Sequence, residues 1–362
     1  MNEINLKQLT QYIEEGWIEF QNHPSLPLRI YNYSRNCQYQ EYWDELTLMC
    51  RGLVLDYEGN IIARPFKKFF NLSENKHTPT KNFDVYTKLD GSLGILFNYK
   101  DQWIMATRGS FISEQSVKGF EMLQKYDYKK LNPKYTYLFE ILYDHNRIVV
   151  RYNFEDVVLL GVIETKNGVE VNLYEGENDI RIRNLINNLG FKVVEKHNGI
   201  TDYSTLSSLS KDNEEGFVVR FDNGDRCKIK FDEYVRLHRL LTNFSNVDIW
   251  ESLKNEDNVE DILKDVPDEF DNWVRTTIKD LKYNYFQISE YCGKIHDGFR
   301  YGKYNDRNPE PTKKEYAEYI KQFKKPLQSV MFFMWDKKPY DHIIWKLIRP
   351  TYSKPFWNKE ND

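Results

Sequence analysis

Lys88-Leu89-Asp90-Gly91 joins two β-prone runs, residues 83–87 and 93–97. Asp-Gly is a favoured turn pair, so the plainest account is a β-hairpin with a solvated lysine beside the turn. A second account gives that lysine chemistry, because an amine fixed next to a tight turn can act as a nitrogen nucleophile toward phosphorus. A three-position match of this kind arises by chance in roughly one chain in ten of this length. The rest of the sequence has to choose between the two accounts.

An amine that attacks a nucleotide α-phosphate needs help of several kinds. It must be deprotonated although a free lysine titrates near 10.4, a triphosphate and its leaving group need cations, and a magnesium ion and the ribose need oxygen acceptors. The carboxylates are present: Glu140 lies inside the apolar run 138–142, and Glu215 immediately precedes Gly216 and the run 217–219. Read singly, Glu140 is equally a solvent-facing strand residue and Glu215 part of an acidic loop. The cations are present too. Cys227-Lys228-Ile229-Lys230 puts two amines on one face of a strand at period two, which is also a common way to solvate a sheet edge. Arg51 and Lys68 lie beside further apolar runs, with Phe69 and Phe70 next to Lys68.

Length and composition set the frame. The 362 residues suffice for two domains. The net charge of −4 and the pI near 6.1 exclude a generally basic nucleic-acid coat, while leaving room for a local cationic groove. No apolar run reaches membrane-spanning length and no secretory pattern opens the chain, so a cytoplasmic protein without a membrane partner is expected. Cys37, Cys50, Cys227 and Cys292 are far apart and form no Cys-x-x-Cys pair, which fits reduced thiols and argues against a thiolate zinc site. Any metal is then expected to be a hard cation held by oxygen.

Residues 51–232 read as short strands separated by turn signals: 53–56, 85–88, 94–99, 104–107, 135–142, 157–163, 169–173, 217–221 and 227–231. Helices are expected at 113–125, where Ser113 and Glu114 make a start signal, and at 179–188. After residue 234 helical periodicity takes over, at 235–241, 247–253, 259–266, 269–285, 313–325, 327–335 and 340–348, with breaks at Pro267 and Pro326 and a loop over 306–311. The expectation is an α+β fold of mostly antiparallel sheets in a first domain, 1–242, and an all-helical domain, 243–362. Lys313, Lys314, Lys321, Lys324 and Lys325 interleave with Tyr316, Tyr319 and Phe323, a pattern that suits a solvated amphipathic helix and also an RNA-facing surface.

The order of these elements settles the choice. Cys50-Arg51-Gly52, Lys68-Phe69-Phe70-Asn71-Leu72, Lys88-Leu89-Asp90-Gly91-Ser92-Leu93, Arg108-Gly109-Ser110 with Ser113-Glu114-Gln115, Phe139-Glu140 with Asn146-Arg147-Ile148-Val149, Glu215-Gly216, and Lys228-Ile229-Lys230 followed by Tyr234-Val235 and Leu237-His238 resemble, in sequence order, the motifs of the covalent nucleotidyltransferases. The closest resemblance is to the phage-type RNA ligase 1 family. It implies a nucleotidyltransferase domain of ATP-grasp-like antiparallel sheets with flanking helices, and an ATP-dependent RNA ligase.

By that resemblance Lys88 takes AMP from ATP as a phosphoramidate, AMP passes to an RNA 5′-phosphate, and a 3′-hydroxyl displaces it to seal the strand, in RNA repair. Lys228 and Lys230 are expected on the α-phosphate, and Arg51 and Lys68 on the triphosphate tail or the RNA 5′-phosphate. Glu140 is expected toward the ribose, with Asp90, Glu140 and Glu215 near Mg2+ (or Mn2+). Gly91 and Tyr234 complete the nucleotide set. Arg108 stands where the family can carry lysine, which changes the hydrogen-bond geometry. The implied partner is RNA, with tRNA as one substrate, and the protein is expected to be a monomer. The competing readings are a DNA ligase or capping-type nucleotidyltransferase, and a catalytically silent RNA-binding relative.

Overall fold

The computed structural model describes residues 4–74, 76–146, 149–175, 179–209, 211, 213–259, 263, 266, 268–302 and 311–354. The chain opens with α1 (Leu6–Glu14), the hairpin β1 (Ile18–Asn22) and β2 (Leu28–Tyr33), short helices α2 (Arg35–Tyr39) and α3 (Glu45–Met49), then β3 (Arg51–Asp56) and β4 (Ile61–Ala63). These strands form an antiparallel sheet in the order β1-β2-β3-β4. Next come β5 (Phe70–Asn71), β6 (Phe83–Lys88), β7 (Ser92–Tyr99), β8 (Gln102–Ala106), α4 (Glu114–Leu123), β9 (Tyr135–Leu142), β10 (Asp156–Glu164), α5 (Ile180–Asn188), β11 (Lys196–His197), β12 (Gly216–Phe221) and β13 (Arg226–Lys230).

A second antiparallel sheet runs β10-β9-β7-β8. The third runs β11-β6-β12-β13-β5, antiparallel except where β13 meets β5. Strand periodicity explains how the layers pack. On β7, Ile95 and Phe97 point into a core shared with Leu28, Ile30, Val54 and Ala63 of the first sheet. Leu96, one residue out of phase, joins Tyr137, Phe139, Ile141, Leu123 and Ile186 on the other face, beneath α4 and α5.

The hairpin account of Lys88-Leu89-Asp90-Gly91 is overturned. Strand β6 pairs with β11 and β12, and β7 with β8 and β9, so the tetrapeptide carries the chain from the third sheet to the second. Gly91 is required there by space: a Cβ would lie 2.6 Å from the Ile141 carbonyl oxygen and 3.1 Å from Glu140 Cγ.

The remaining helices are α6 (Asp232–Asn243), α7 (Asn246–Asn255), α8 (Asp268–Asp297), α9 (Lys313–Ile320), α10 (Lys325–Trp335) and α11 (Asp341–Leu347). The chain divides into two compact units, Met1–Arg236 and Leu237–Asp362, the division falling within α6. The second unit has its own core of Cys292, Phe299, Tyr316, Ile320, Val330, Met331 and Ile344. Among the described residues no helix is long and apolar enough to cross a membrane, and all four cysteines are buried free thiols.

Several expectations change. Residues 169–173 make only a single bridge, Ile163 to Glu170, and are otherwise irregular. The helix expected over 313–325 stops at Ile320, because Pro326 sits in the first turn of a new helix, where its missing N–H costs nothing. Tyr316 is fully buried in the core, so it is no part of an RNA-facing surface. The expected break at Pro267, most of the 259–266 helix, most of the 306–311 loop, and Arg147 and Ile148 lie outside the described residues. Of the first sheet only β3 was anticipated, as the strand expected at 53–56; β1, β2 and β4 were not.

Gly216 opens β12 with φ +143°, and a Cβ there would stand 2.0 Å from the Ile229 carbonyl oxygen. Gly216→Ala is therefore expected to cost roughly 3 kcal/mol or more, lowering the melting temperature by about 5 °C or more in a thermal scan.

Candidate active site

The third sheet presents a grid of side chains, fixed by its register. Gly216 lies opposite Lys88 on one side and Lys230 on the other; Val218 lies between Tyr86 and Lys228; Arg220 lies between Asp84 and Arg226. Because strand side chains alternate, all nine positions share one face. The intervening Val85, Phe217, Val219, Phe221, Cys227 and Ile229 are buried on the opposite face.

This grid is one wall of a cavity of about 320 Å³, with Leu93, Glu140, Leu160 and Gly161 from the second sheet on another wall and Tyr33 and Arg51 from the first sheet. Its lining combines the cations Arg51, Lys68, Lys88, Arg108, Lys228 and Lys230 with apolar surface from Tyr86, Leu173, Tyr174, Val194 and Val218, and Glu170, Arg220 and Arg226 are also on the wall. A molecule with a flat apolar group and a polyanionic tail fits that combination.

Glu215 sits under the first row. Its side chain is 2% exposed; Oε2 accepts from Lys88 Nζ at 2.6 Å and Oε1 pairs with Lys230 Nζ at 2.8 Å. Gly216 makes this possible, since a Cβ there would lie 2.0 Å from the Ile229 carbonyl oxygen and 3.0 Å from Lys230 Cα and would push away the strand that carries Lys230. Glu140 lies at the end of β9, where its Oε1 accepts from the Gly91 N–H at 3.0 Å. Burial, against the pull of Lys88 and with the repulsion of Glu215, raises its carboxyl to about 7. Lys228 is pushed the other way, to about 8, by burial and by Lys68, Lys230, Lys88 and Arg51. Burial lowers Lys68 and Arg51 as well, each reinforced by cationic neighbours.

Asp90 and Tyr234 are not on the cavity wall. Asp90 is buried; its Oδ2 accepts from the N–H groups of Val149 and Val150, both at 2.9 Å, and its Oδ1 from the Tyr234 hydroxyl at 2.8 Å. Its own N–H donates to the Tyr152 hydroxyl at 2.8 Å. Both carboxylate oxygens are thus engaged by protein donors in the interior, away from the cavity wall, which corrects its expected place beside a metal. It pins the sheet-to-sheet crossing to the first turn of α6. Tyr234 also lies beneath the Lys230 ammonium, 4.8 Å from ring centroid to Nζ.

The expected metal set of Asp90, Glu140 and Glu215 does not converge: among the described residues no three His, Cys, Asp or Glu side chains gather as a cage. Glu140 keeps one oxygen with no protein donor among the described residues. One or two carboxylates beside a polyphosphate site suit Mg2+, which keeps most of its waters and binds largely through phosphate oxygens.

The third row was missed in the sequence. Arg226 Nη2 pairs with Glu170 Oε1 at 2.5 Å and Arg220 Nε with its Oε2 at 3.1 Å. Burial alone would raise the Glu170 carboxyl, but the two guanidiniums hold it below the usual range. Arg226 shares the period of Lys228 and Lys230 and was legible by extending it one step. Glu170 carried no such signal.

The sequence profile of the phage-type RNA ligase family, described as "RNA ligase", matches residues 49–235. That is more than half of the chain, and it contains every strand of the grid. The chain belongs to that family. It is 28% identical over 214 residues to a "Putative RNA ligase" of Thermovibrio ammonificans, covering 54% of each chain. It is 22% identical over 287 residues to the "RNA ligase" of Rhodothermus phage RM378, covering 59% of this chain and 65% of the phage protein. The chain thus spans about half to two thirds of the length of these relatives. The solved structure "Archaeal ATP-dependent RNA ligase - form 1" overlays with a TM-score of 0.46 at 12% identity, over 68% of this chain and 64% of that one.

The raised Glu140 carboxyl sets a pH dependence. Between the ordinary carboxylate value and about 7 the folded protein holds a proton that the unfolded chain releases, so rising pH favours unfolding. Glu140→Gln is expected to gain stability relative to the parent, on the order of 2 kcal/mol at pH 8 and little at pH 5. Thermal melts of the nucleotide-free proteins at the two pH values check this.

Proposed function

We propose that this chain is an ATP-dependent RNA ligase that works through a lysyl-AMP adduct on Lys88. The observation that carries this reading is the Lys88–Glu215–Lys230 arrangement beside a cavity lined by both cations and apolar side chains. On this reading the Lys88 amine meets the α-phosphate of a bound nucleotide, the base lies on Tyr86 and Val218, and the β- and γ-phosphates turn toward Arg51, Lys68 and Lys228, all of which line the cavity.

In the first step the Lys88 ammonium loses a proton, for which Glu215 is the adjacent acceptor. The neutral amine attacks the α-phosphorus, the bond to the bridging oxygen breaks, and pyrophosphate leaves. Lys228 and Lys230 offset the charge that builds on the α-phosphate, a positional and electrostatic contribution. Glu140, on the opposite wall, receives a ribose hydroxyl. Magnesium, when bound, would neutralise phosphate charge, and Glu140, whose second oxygen has no protein donor among the described residues, would hold its hydration shell. The phosphoramidate then passes AMP to an RNA 5′-phosphate, since the nitrogen becomes a good leaving group once reprotonated, and an RNA 3′-hydroxyl displaces AMP. Asp90 and Tyr234 keep the sheet crossing fixed, so that Lys88 stays aligned through all three steps. Arg108, exposed at the rim and bonded to the Tyr33 hydroxyl at 3.1 Å, is placed to meet the RNA phosphate.

The reading assigns adenylyl transfer to a domain of residues 1–242 and RNA end selection, tRNA included, to residues 243–362, in a cytoplasmic monomer acting in RNA repair. Helices without a strand follow β13 among the described residues, an arrangement that favours RNA over the DNA-ligase and capping alternatives.

With α-labelled ATP and magnesium the protein is expected to acquire an acid-labile, base-stable label that Lys88→Ala abolishes, while Lys228→Ala slows labelling by about a hundredfold or more. Absence of label on protein first stripped of AMP with pyrophosphate would overturn the reading. Label from GTP instead would redirect it to a capping-type enzyme.

A further inference from the structure

The cations of the cavity fall into two sets by the partner that holds them. Lys88 and Lys230 share Glu215, and Arg220 and Arg226 share Glu170. Among the described residues no carboxylate pairs with Arg51, Lys68 or Lys228. Lys68 has rings instead: its Nζ lies 4.9 Å from the Phe70 centroid, 5.6 Å from Tyr33 and 5.7 Å from Trp43. The rings brace one another edge to face, Trp43 standing 5.1 Å from Tyr33 and 5.3 Å from Phe70. Arg51 lies over Phe69 at 5.5 Å and Arg108 over Tyr33 at 5.2 Å.

A carboxylate fixes a cation and cancels its charge. An aromatic face fixes a cation and leaves the charge whole. Lys68 is a flexible side chain that would otherwise pay its ordering entropy when a ligand binds. Trp43 is the keystone of the box yet is not among the residues lining the cavity, so it does not meet the ligand itself.

We infer that Trp43 is a positioning residue for polyphosphate recognition, holding the Lys68 ammonium in the cavity by ring faces and not by a carboxylate ion pair, so that it meets the β- and γ-phosphates of ATP without rearranging. The inference rests on the ligase reading for its nucleotide, and on the box alone for its anion. It ties Trp43 to the one step that uses a triphosphate and detaches it from the sealing of RNA that already carries AMP.

The test replaces Trp43 by tryptophans carrying one, two and three ring fluorines, which drain the π face in steps while keeping the shape, and measures affinity for inorganic tripolyphosphate by titration calorimetry. Affinity is expected to fall stepwise, about tenfold in total. An affinity that does not change with fluorination overturns the inference. In parallel, Trp43→Leu is expected to raise the KM for ATP in adenylylation about tenfold, with Trp43→Phe restoring most of it and both variants sealing preadenylylated RNA at the parental rate. Equal loss of both steps in Trp43→Leu marks a structural role and overturns the inference. If the parent protein forms no adduct with ATP, the ligase reading fails while the tripolyphosphate series still decides whether the box positions Lys68.

Discussion

One buried carboxylate, Glu215, organises the centre of this protein. Taking it out of water is costly, and the cost is offset chiefly because two ammonium groups, Lys88 and Lys230, reach it from strands on either side of β12. That requires β6, β12 and β13 in a single register, and a residue at 216 with neither a side chain nor an ordinary backbone conformation. Everything else in the cavity inherits its position from this constraint. Once the first row is aligned, period-two alternation puts Tyr86, Val218 and Lys228 in the second row and the Asp84, Arg220 and Arg226 charges in the third.

A second layer of order comes from Asp90. The crossing from β6 to β7 joins two sheets, and such a connection would be free to flex. Four hydrogen bonds, three that Asp90 accepts from Val149, Val150 and Tyr234 and one that its N–H donates to Tyr152, remove that freedom. Motif residues thus divide by function: Lys88 faces the cavity, Gly91 gives room and a backbone N–H to Glu140, and Asp90 works in the interior, holding the others still.

Much of this was legible because short strands with strong alternation and Gly-containing turns announce themselves locally. Strands β12 and β13 alternate in this way, while β7, β9 and β10 announce themselves as longer apolar runs buried nearly throughout. In the first sheet only β3 announced itself; β1 is buried only at Ile18 and one further partly buried position, so its alternation is too faint to read. Strands β5 and β11 are two residues long and exist only by virtue of their neighbours. Residues 169–173 show the opposite failure, a good strand pattern whose side chains line the cavity. In the site, Lys88, Glu140, Glu215, Lys228 and Lys230 were readable from local pattern and motif order. The hydroxyl of Tyr234 on Asp90 was not, because it spans 144 residues and no local rule connects them.

The shared carboxylate also implies a change of electrical balance during turnover. On the proposed chemistry, forming the adduct turns the Lys88 ammonium into a neutral phosphoramidate nitrogen and leaves a phosphate in the cavity. Glu215 is then paired with Lys230 alone, and the cavity has lost a positive charge while gaining a negative one. A site that attracts a triphosphate when empty becomes a weaker trap for polyanions once loaded, so pyrophosphate is released and a second nucleotide is discouraged by the same event. The spent ammonium is in this sense a counter that registers whether the enzyme has been charged.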